Sequence, residues 1–383
     1  MKLGVIGYGE RLRHMVRVIK KEDPDCILTA VAELDPDRFL EDPVVVSDHT
    51  VMFGSAKEML KNADLTAVAI GTRCSLHADL ACMVLKTGLP LFLEKPVATS
   101  YDDLLKLYRA SLETNSQVVI SFPLRGSQLV RLAKEIIDSG KIGTVEHVQA
   151  VNNVPYGGIY FQKWYRDEHE TQGLFLQKAT HDFDYINYLT GRAPTVVCAM
   201  NSKQIFKGDK PAGLRCPDCI ERGTCPESAL IKRAAGDFVP GDACCFAVDT
   251  GNEDSGSAIL RYDSGMHASY SQNFFARRGA QARGATLFGY KGTLQFDFYT
   301  GVLKVHLHHT PRVETYELTQ GEGHHGGDAA LGRNFAEVAN GRCASEFTLE
   351  AGILSALMCL KARQSALSNT FQQIVYSEEG IHA

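Results

Sequence analysis

The first residues that could do chemistry are the glycines of "GVIGYGERL", which follow a short apolar stretch at the start of the sequence. In a G-x-G-x-x-G turn between a strand and a helix, the first glycine permits the tight turn and the second lets the backbone approach a pyrophosphate. Gly7 and Gly9 occupy these positions, whereas Leu12 replaces the third glycine, which serves helix packing. The loop, including Tyr8 and Glu10, therefore predicts a phosphate-binding turn; the alternative is a turn that merely needs glycines.

Glu33 indicates which phosphate ligand the turn would hold. It stands with Leu34 at the end of a second predicted strand, about two dozen residues after the glycines. A carboxylate at this place accepts hydrogen bonds from both ribose hydroxyls of a dinucleotide and repels a 2′-phosphate. Leu34 offers no positive charge to hold such a phosphate. The sequence therefore predicts NAD as the cofactor in preference to NADP.

Cys216, Cys219 and Cys225 in "RCPDCIERGTCPES" have a spacing that permits zinc binding. Thiolates separated by two residues can chelate zinc from a tight knuckle. A fourth ligand would have to come from Cys244, Cys245 or a histidine. Two interpretations stay open, a structural zinc that holds a long insertion together and reduced thiols that pack a loop.

These candidate sites need a scaffold, and the first 122 residues predict one. Apolar runs that read as strands alternate with amphipathic helices, and strands that are apolar throughout are typical of a parallel sheet covered on both faces. Such runs are "KLGVI", "ILTAVA", "TAVAIG", "LPLFL" and "VVISF", with "PVVVSD" predicted as the third strand. We therefore expect a doubly wound Rossmann domain over residues 1–122.

The pattern changes after residue 122. One helix is followed by apolar runs that no helix separates and that Gly, Asp and Ser bound, which is typical of an antiparallel sheet. Two further helices are predicted near 329–340 and 349–367. Residues 123–383 are therefore expected to form an α+β domain, with an open antiparallel sheet and helices on one face.

The composition excludes several classes of protein. The chain has 383 residues, an apolar fraction of 44% and a net charge of −5, which fits a globular protein and gives no reason to bind nucleic acid or an anionic membrane. No apolar stretch approaches the roughly 20 residues that span a bilayer, and the N-terminus shows no signal peptide. Eleven cysteines in such a chain do not suggest a disulfide framework. We expect a cytoplasmic protein.

Three stretches together resemble the glucose–fructose oxidoreductase / inositol dehydrogenase / rhizopine-catabolism (Gfo/Idh/MocA) family over essentially the whole chain. They are the "EKP" after the fifth strand, "GLFLQKATHDFDYINYLTG" with its H-x-x-D core, and "GHHGGD", which resembles a motif of a sugar-acting subset. The resemblance implies an NAD(P)-dependent enzyme that oxidises a secondary hydroxyl of a sugar, sugar derivative or cyclitol, or reduces the ketone. It also implies that residues 123–383 bind substrate and mediate oligomerisation.

The resemblance implies catalytic roles for Lys95 and His181. Loss of hydride from a carbinol carbon needs a base for the hydroxyl proton and a cation for the developing alkoxide. Lys95, with Glu94 beside it, follows a parallel strand at the edge where such folds bind ligands. Thr180 is predicted as the N-cap of the helix of His181, whose dipole would keep the ring neutral. The alternatives are a solvated surface lysine and a structural histidine.

One position departs from the family pattern. Many relatives carry an acidic residue four positions before the histidine, and this chain has Gln177 there. Because glutamine cannot carry a proton, either the relay is shorter or the adjacent Lys178 takes part as a third catalytic residue. Arg73 and Cys74 also depart from the usual T-P-N-x-x-H loop. The cofactor contacts implied beyond the glycine turn and Glu33 are Leu34, Thr72, Arg73, Ser75, His77, Glu94 and Lys95.

Trp164, the only tryptophan, precedes the histidine helix in "YFQKWYRDEHETQG". An indole can stack on the C–H face of a sugar ring, and the alternative is a tryptophan of the core. Asp184 is a further substrate candidate, or else a plain charge on a helix surface. The remaining candidates for substrate contacts are Tyr156, Arg166, His325 and Asp328.

Three functions remain open from the sequence. The first is an NAD-dependent dehydrogenase of a sugar or cyclitol. The second is an NAD-dependent glycoside hydrolase of the same family, which works by transient oxidation, elimination and re-reduction. The third is a sugar- or NAD-responsive regulator, against which the intact "EKP" and His181 argue. The resemblance further implies a homodimer or homotetramer, because open sheets in this family pair face to face.

Overall fold

The computed structural model describes residues 1–237, 239, 241–319, 321–377 and 380–382. The N-terminal part forms, within these residues, a six-stranded parallel sheet in the order β3-β2-β1-β4-β5-β6. Its strands are β1 Lys2–Ile6, β2 Ile27–Ala32, β3 Val51–Phe53, β4 Ala67–Ile70, β5 Leu91–Leu93 and β6 Val118–Ile120. Its helices are α1 Glu10–Glu22, α2 Pro43–Ser47, α3 Ala56–Asn62, α4 His77–Leu85 and α5 Tyr101–Leu112.

The rest of the chain forms a second sheet with helices packed on it. The described residues give this sheet nine strands in the order β14-β13-β12-β11-β7-β10-β9-β8-β15. Its strands are β7 Val145–Asn153, β8 Pro194–Ser202, β9 Ser255–Tyr262, β10 His267–Asn273, β11 Ala282–Gly289, β12 Gly292–Asp297, β13 Val302–Leu307, β14 Arg312–Glu317 and β15 Gln372–Gln373, followed by a separate hairpin of β16 Val375–Ser377 and β17 Gly380–His382. The helices are α6 Pro123–Gly126, α7 Gln128–Asp138, α8 Ile159–Gln162, α9 Glu168–Thr171, α10 Thr180–Thr190, α11 Ala229–Ala234, α12 Glu322–His325, α13 Gly327–Ala339 and α14 Leu349–Ser368.

The predicted fold class is confirmed. The first sheet has the strand order of a Rossmann fold, and the second is open and mostly antiparallel. One pair departs from the prediction, because β7 and β10 run parallel in the centre of the second sheet. The division at residue 122 falls between β6 and α6 and stays a prediction. No helix of the described chain is long and apolar enough to cross a membrane.

The prediction of a strand at "PVVVSD" is wrong. Residues 43–47 form α2, because Pro43 suits the first turn of a helix and the side chain of Asp42 accepts a hydrogen bond from the Val44 N–H. The third strand is β3, a few residues later. The valines looked like a strand because their β-branched side chains favour extended backbone, and the cap overrides that preference.

The two sheets are joined closely by helices. α13 from the end of the chain packs against α1 of the Rossmann sheet, and α14 packs against β8, α10 and α5. Most of the buried apolar residues of both parts form one continuous core, and a smaller cluster around Phe161 and Phe206 is separate from it. This packing holds the carboxyl edge of the first sheet against the start of α10, where the sequence places its catalytic candidates.

Candidate functional site

The glycine turn lies at the point of the first sheet where the strand order reverses. β1 and β4 are neighbours there, and ligands of such sheets bind in the crevice at their carboxyl ends. Gly7 has φ +81°, and a Cβ there would lie 2.7 Å from Cγ2 of Thr72. Gly9 is exposed, a Cβ there would meet nothing within 4 Å, and no side chain caps the N-terminus of α1. The turn therefore leaves open space and a free helix N-terminus, which fit a pyrophosphate.

Leu12 shows how the turn works without its third glycine. Its side chain is fully buried and lies directly over Gly71, the residue after β4. A Cβ on Gly71 would be 1.7 Å from Cδ2 of Leu12, a distance that no side chain tolerates. The space usually freed by a glycine on the helix is thus freed by a glycine on the neighbouring strand.

The carboxylate of Glu33 lies beside the turn, as predicted. Oε2 accepts a hydrogen bond from the Tyr8 N–H at 2.9 Å, and Oε1 accepts one from the Leu34 N–H at 2.8 Å. A carboxylate offers about four acceptor sites, so capacity remains for two ribose hydroxyls. The side chain of Tyr8 is buried with its hydroxyl on Asp42, and the Leu34 side chain is exposed. Tyr8 and Leu34 therefore face the crevice through their backbone.

Arg73 and Ser75 reach across to the second part of the chain. The guanidinium carbon of Arg73 lies 4.0 Å from the ring centroid of Trp164, and the hydroxyl of Ser75 donates to Glu170 at 2.9 Å. Trp164 also stacks on Tyr165, with ring centroids 3.8 Å apart. The predicted cofactor loop and the predicted sugar platform are thus in direct contact. Their contacts with ligands stay predictions.

His77 and Thr72 hold the loop rather than point out of it. His77 is buried, and its Nδ1 lies 2.7 Å from the carbonyl oxygen of Pro96. Thr72 donates to the carbonyl of Arg73 at 3.1 Å. His77 therefore contacts the turn that carries Lys95, and its predicted cofactor contact stays a prediction.

Lys95 lies between the two parts of the chain. Its ammonium donates to the backbone carbonyl of Gln177 at 3.1 Å. Burial lowers the pKa of Lys95 and the ammonium of Lys178 lowers it further, whereas Cys74 and Glu94 oppose this effect. Glu94 is held by Arg11, whose Nε donates to its Oε1 at 3.0 Å. No carboxylate of the described chain lies within ion-pair distance of Lys95, so its side chain is available to a negative charge that develops on a ligand.

Thr180 does not cap the helix of His181, and that prediction is wrong. A π-helical turn, Phe175–Ala179, runs directly into α10, so His181 stands inside a continuous helix. The hydroxyl of Thr180 instead lies 3.0 Å from the hydroxyl of Ser355. The ring of His181 is nevertheless neutral, because burial lowers its pKa well below the usual value and Lys95, Arg283 and Lys178 lower it further. Burial and nearby cations, rather than the helix dipole, therefore keep the ring neutral.

Gln177 has no part in proton transfer. Its side-chain amide donates to the carbonyl of Thr171 at 2.9 Å and lies 3.7 Å from the sulfur of Cys74. The residue is fully buried. Its backbone carbonyl, which lies within the π-helical turn, accepts the hydrogen bond from Lys95. The acidic residue of the family pattern is therefore replaced by a structural amide.

Lys178 is buried and contacts Tyr156. Its ammonium donates a hydrogen bond to the Tyr156 hydroxyl and lies 4.6 Å from the centre of that ring. The residue Lys178 is 6% exposed, whereas Tyr156 is 42% exposed. The sequence singled out both residues but did not pair them, because 22 positions separate them.

Asp184 and Asp328 are both held by arginines. Asp184 is buried in a two-bond ion pair with Arg125, whose Nε donates to its Oδ2 at 3.1 Å. Asp328 accepts from Arg11 at 2.8 Å and lies 3.0 Å from His14 and 3.1 Å from His324. Neither carboxylate is a free surface charge, and their predicted substrate contacts stay predictions. Asp328 links α1 to the "GHHGGD" segment.

Arg166 and His325 lie at the margins of the site. Arg166 donates to Asp249 at 2.5 Å and so ties its loop to the cysteine-containing insertion. His325 packs near Phe298, with ring centroids 5.4 Å apart, and lines a small cavity with Leu129 and Leu318. The structure does not bring either side chain to Lys95.

The cysteines lie together, but the structure does not support the predicted zinc. Cys216, Cys219, Cys225, Cys244 and Cys245 line one cavity of about 280 Å³ of empty space. Over the described residues, however, no group of three or more histidine, cysteine, aspartate or glutamate side chains is placed so as to hold a metal ion. Burial raises the pKa of Cys245 and of Cys244 above the ordinary value, as for thiols that pack a loop.

Sequence reasoning missed two groups near the site. Arg11 joins Glu94, Ser121 and Asp328 across the two parts of the chain, and no local spacing signals such a contact. Arg283 lies in β11 and donates to Asp182 at 2.9 Å. Asp182 could have been noticed, since it stands directly after His181 in the quoted "THDFD".

Comparison with known proteins agrees with this geometry. Residues 1–122 match the model of an oxidoreductase family with an NAD-binding Rossmann fold, and residues 130–295 match the GFO/IDH/MocA C-terminal domain. The Bacillus subtilis (strain 168) protein YteT, whose name gives only the class oxidoreductase, is 26% identical over 79% of this chain and 80% of its own length. Inositol 2-dehydrogenase of Rhizobium meliloti (strain 1021) is 28% identical over 39% of this chain and 44% of its own length.

Solved structures show the same fold at low identity. A levoglucosan dehydrogenase in complex with NADH and levoglucosan has a TM-score of 0.78 at 17% identity, covering 97% of this chain and 99% of its own. An oxidoreductase domain protein from Kribbella flavida has a TM-score of 0.80 at 15% identity, covering 98% and 99%. These likenesses extend over both sheets.

Proposed function

The chain belongs to the GFO/IDH/MocA family of NAD-binding oxidoreductases, and from this premise we propose that it oxidises a secondary hydroxyl of a sugar, a sugar derivative or a cyclitol with NAD. The observation that carries the proposal is the position of Lys95. Its ammonium stands at the carboxyl edge of the Rossmann sheet, bonded to Gln177 four residues before His181. A cation and a neutral imidazole thus flank the crevice that the glycine turn opens.

The residues of the crevice fit NAD. Gly7 and Gly9 leave room for the pyrophosphate at the start of α1, and Glu33 offers acceptors for the adenosine ribose. The negative charge of Glu33 disfavours a 2′-phosphate, which supports NAD over NADP. When bound, NAD supplies the nicotinamide that accepts the hydride. A relative solved with NADH supports the same cofactor.

Lys95 and His181 would orient the reacting hydroxyl. The ammonium of Lys95 donates to the hydroxyl oxygen and stabilises the negative charge that grows on it as the proton leaves. The neutral ring of His181 can accept a hydrogen bond from a hydroxyl of the substrate, because its pKa is held low by burial and by the surrounding cations. Trp164 lies at the rim between Arg73 and Tyr165, so a sugar ring would meet the edge of the indole and the Arg73 guanidinium rather than a free aromatic face.

Names of relatives support sugars and cyclitols as the substrate class. One is an inositol 2-dehydrogenase and another a levoglucosan dehydrogenase. Redox-assisted glycoside cleavage has no specific support among the relatives and is an outcome of the test, not a second proposal. Assembly as a dimer or tetramer through the open face of the second sheet stays a prediction, which light scattering of the purified protein checks.

The test is a substrate screen that follows two products at once. Purified protein with NAD or NADP is mixed with inositols, hexoses, anhydrosugars and aryl glycosides, and both NADH absorbance and aglycone release are recorded. We expect NADH from at least one polyol or sugar, and its loss in Lys95→Ala but not in Lys106→Ala, a surface lysine paired with Asp79. Aglycone release without net NADH would replace the proposal by glycoside cleavage, and neither product from any compound would overturn it.

A further inference from the structure

Oxidation of a hydroxyl needs a group that takes its proton, and the usual carboxylate is missing. Gln177 occupies its place and is engaged by Thr171. His181 is a poor final acceptor, because burial and the neighbouring Lys95, Arg283 and Lys178 strongly disfavour its protonated form. Lys95 is needed as a cation. If the protein has the proposed function, another group at this crevice must therefore accept the proton.

Tyr156 is held in one position at the edge of the site. It follows β7 in the loop that contains Gly157, where a Cβ would be 1.9 Å from the carbonyl oxygen of Phe274. This close approach locks the loop against the end of β10. The residue is 42% exposed, so part of the tyrosine lies open to solvent, whereas its partner Lys178 is buried. A fixed and accessible phenol is the geometry that proton transfer requires.

Lys178 has no counter-ion other than this phenol. Its ammonium donates to the Tyr156 hydroxyl, and no carboxylate of the described chain lies within ion-pair distance of it. The nearest acid, Asp182, is occupied by Arg283 at 2.9 Å, by Asn152 at 2.7 Å and by Tyr270 at 3.0 Å. A buried ammonium without a carboxylate favours negative charge on the oxygen that it contacts.

We propose that Tyr156 is the proton acceptor of the oxidation and that Lys178 is the positioning residue that stabilises its phenolate. The phenolate oxygen takes the proton of the substrate hydroxyl, the O–H electron pair forms the carbonyl bond, and the C–H pair leaves as hydride to the nicotinamide. The neutral phenol then returns its proton to solvent through its exposed face. In ketone reduction the same phenol donates the proton.

The charge environment of Tyr156 agrees with this role. Burial raises the pKa of the phenol, but Lys178 and Arg283 lower it by more, so that it lies below the ordinary value. Burial lowers the pKa of Lys178 as well, and Arg283 adds to this effect. The titratable and charged groups that face the phenol are Lys178, Arg283, Asp182, Tyr160 and Tyr299.

The first experiment titrates the phenol in the free protein. Tyrosinate absorbance is followed against pH in the wild type and in Tyr156→Phe, which keeps the ring and removes only the hydroxyl. We expect the difference to show one tyrosine that ionises below the ordinary value of about 10. Lys178→Met should raise the pKa of that tyrosine, and Lys178→Arg should leave the pKa low. A difference titration at or above the ordinary value would overturn the proposal, whatever the enzyme oxidises.

The second experiment measures turnover on a substrate found in the screen. Tyr156→Phe should lower kcat by about 10²- to 10⁴-fold with little change in NADH affinity, and should remove one ionisation from the pH profile. Tyr290→Phe is the matched control, because it also removes only a phenolic hydroxyl and Tyr290 is an exposed residue directly after β11. A kcat within a few-fold of the wild type would refute the proposal, while failure of every substrate would refute the proposed function and leave the titration to decide on Tyr156.

Discussion

The contact between Leu12 and Gly71 makes a quantitative prediction about the cofactor turn. Gly71 is not in the left-handed region of backbone space, so alanine is sterically allowed there except for its methyl group. That methyl would lie 1.7 Å from Cδ2 and 2.5 Å from Cγ of Leu12. Carbon atoms in contact prefer about 3.5–4.0 Å, so Leu12 would have to move by roughly 2 Å. We expect Gly71→Ala to cost about 1–3 kcal/mol of stability, as overpacked cores do.

Removing the leucine should reverse this cost. Leu12→Ala by itself should cost about 2–5 kcal/mol, because the side chain is fully buried. In that background the two clashing atoms of Leu12 are gone, the contact with Cγ of Glu94 at 3.5 Å is ordinary, and the methyl fills part of the space. The double mutant should therefore be more stable than the sum of the single changes by about 1–3 kcal/mol.

The assay is urea unfolding of the four proteins, followed by circular dichroism, with NADH fluorescence as a second readout. Gly54→Ala is the matched control, because Gly54 also follows a strand of the same sheet, β3, and its Cβ would meet nothing within 4 Å. NADH affinity should fall in Gly71→Ala and recover in the double mutant. If Gly71→Ala costs no more than Gly54→Ala, or if the two changes are additive, Leu12 does not stand in for the third glycine.

Three further predictions concern charged groups. Glu33→Ala should weaken NAD binding by roughly ten- to a hundredfold, since a charged hydrogen bond is worth about 1.5–3 kcal/mol. The affinity for NADP should stay the same or increase. Titration of both cofactors checks this, and an unchanged ratio of the two affinities would contradict it. Burial raises the pKa of Asp328, but hydrogen bonds from His324 and Arg11 hold it below its usual range. Its contribution to stability is therefore full above about pH 4 and lost on further acidification. Below about pH 4 the wild type should lose thermal stability more steeply than Asp328→Asn, and parallel curves would count against this. His181 should show no titration by NMR between about pH 6 and 8, and a midpoint near 6.5 would exclude its burial among cations.

Much of the Rossmann half was determined by the sequence alone, for a physical reason. Strands covered on both faces must be apolar throughout, so each appears as a short continuous run between amphipathic helices. The glycine turn and Glu33 belong to one β-α-β unit, in which the chain distance sets the spatial distance. The spacing therefore predicts that Glu33 lies beside the turn, where its carboxylate accepts a hydrogen bond from the Tyr8 N–H. The "EKP" position at the end of β5 follows from the same local rule.

Local pattern failed where a cap or a neighbouring turn changed the backbone. The valines of α2 read as a strand, and Thr180 read as a helix start, because propensity and cap residues are judged over a few positions. The Asp42 side chain decided the first case. In the second, a π-helical turn continued the helix upstream of His181, and this turn contains the carbonyl that accepts the hydrogen bond from Lys95.

Only the tertiary structure decided which charges meet. Asp328 reaches Arg11 over 317 positions, and Arg283 reaches Asp182 over 101. The pairing of Lys178 with Tyr156 likewise depends on how β7 lies against α10. No spacing rule foretells such contacts, because a loop closes over long distances at a cost that hardly depends on its length. What selects the partners is the burial of unpaired charge, which becomes expensive only once the two sheets have packed.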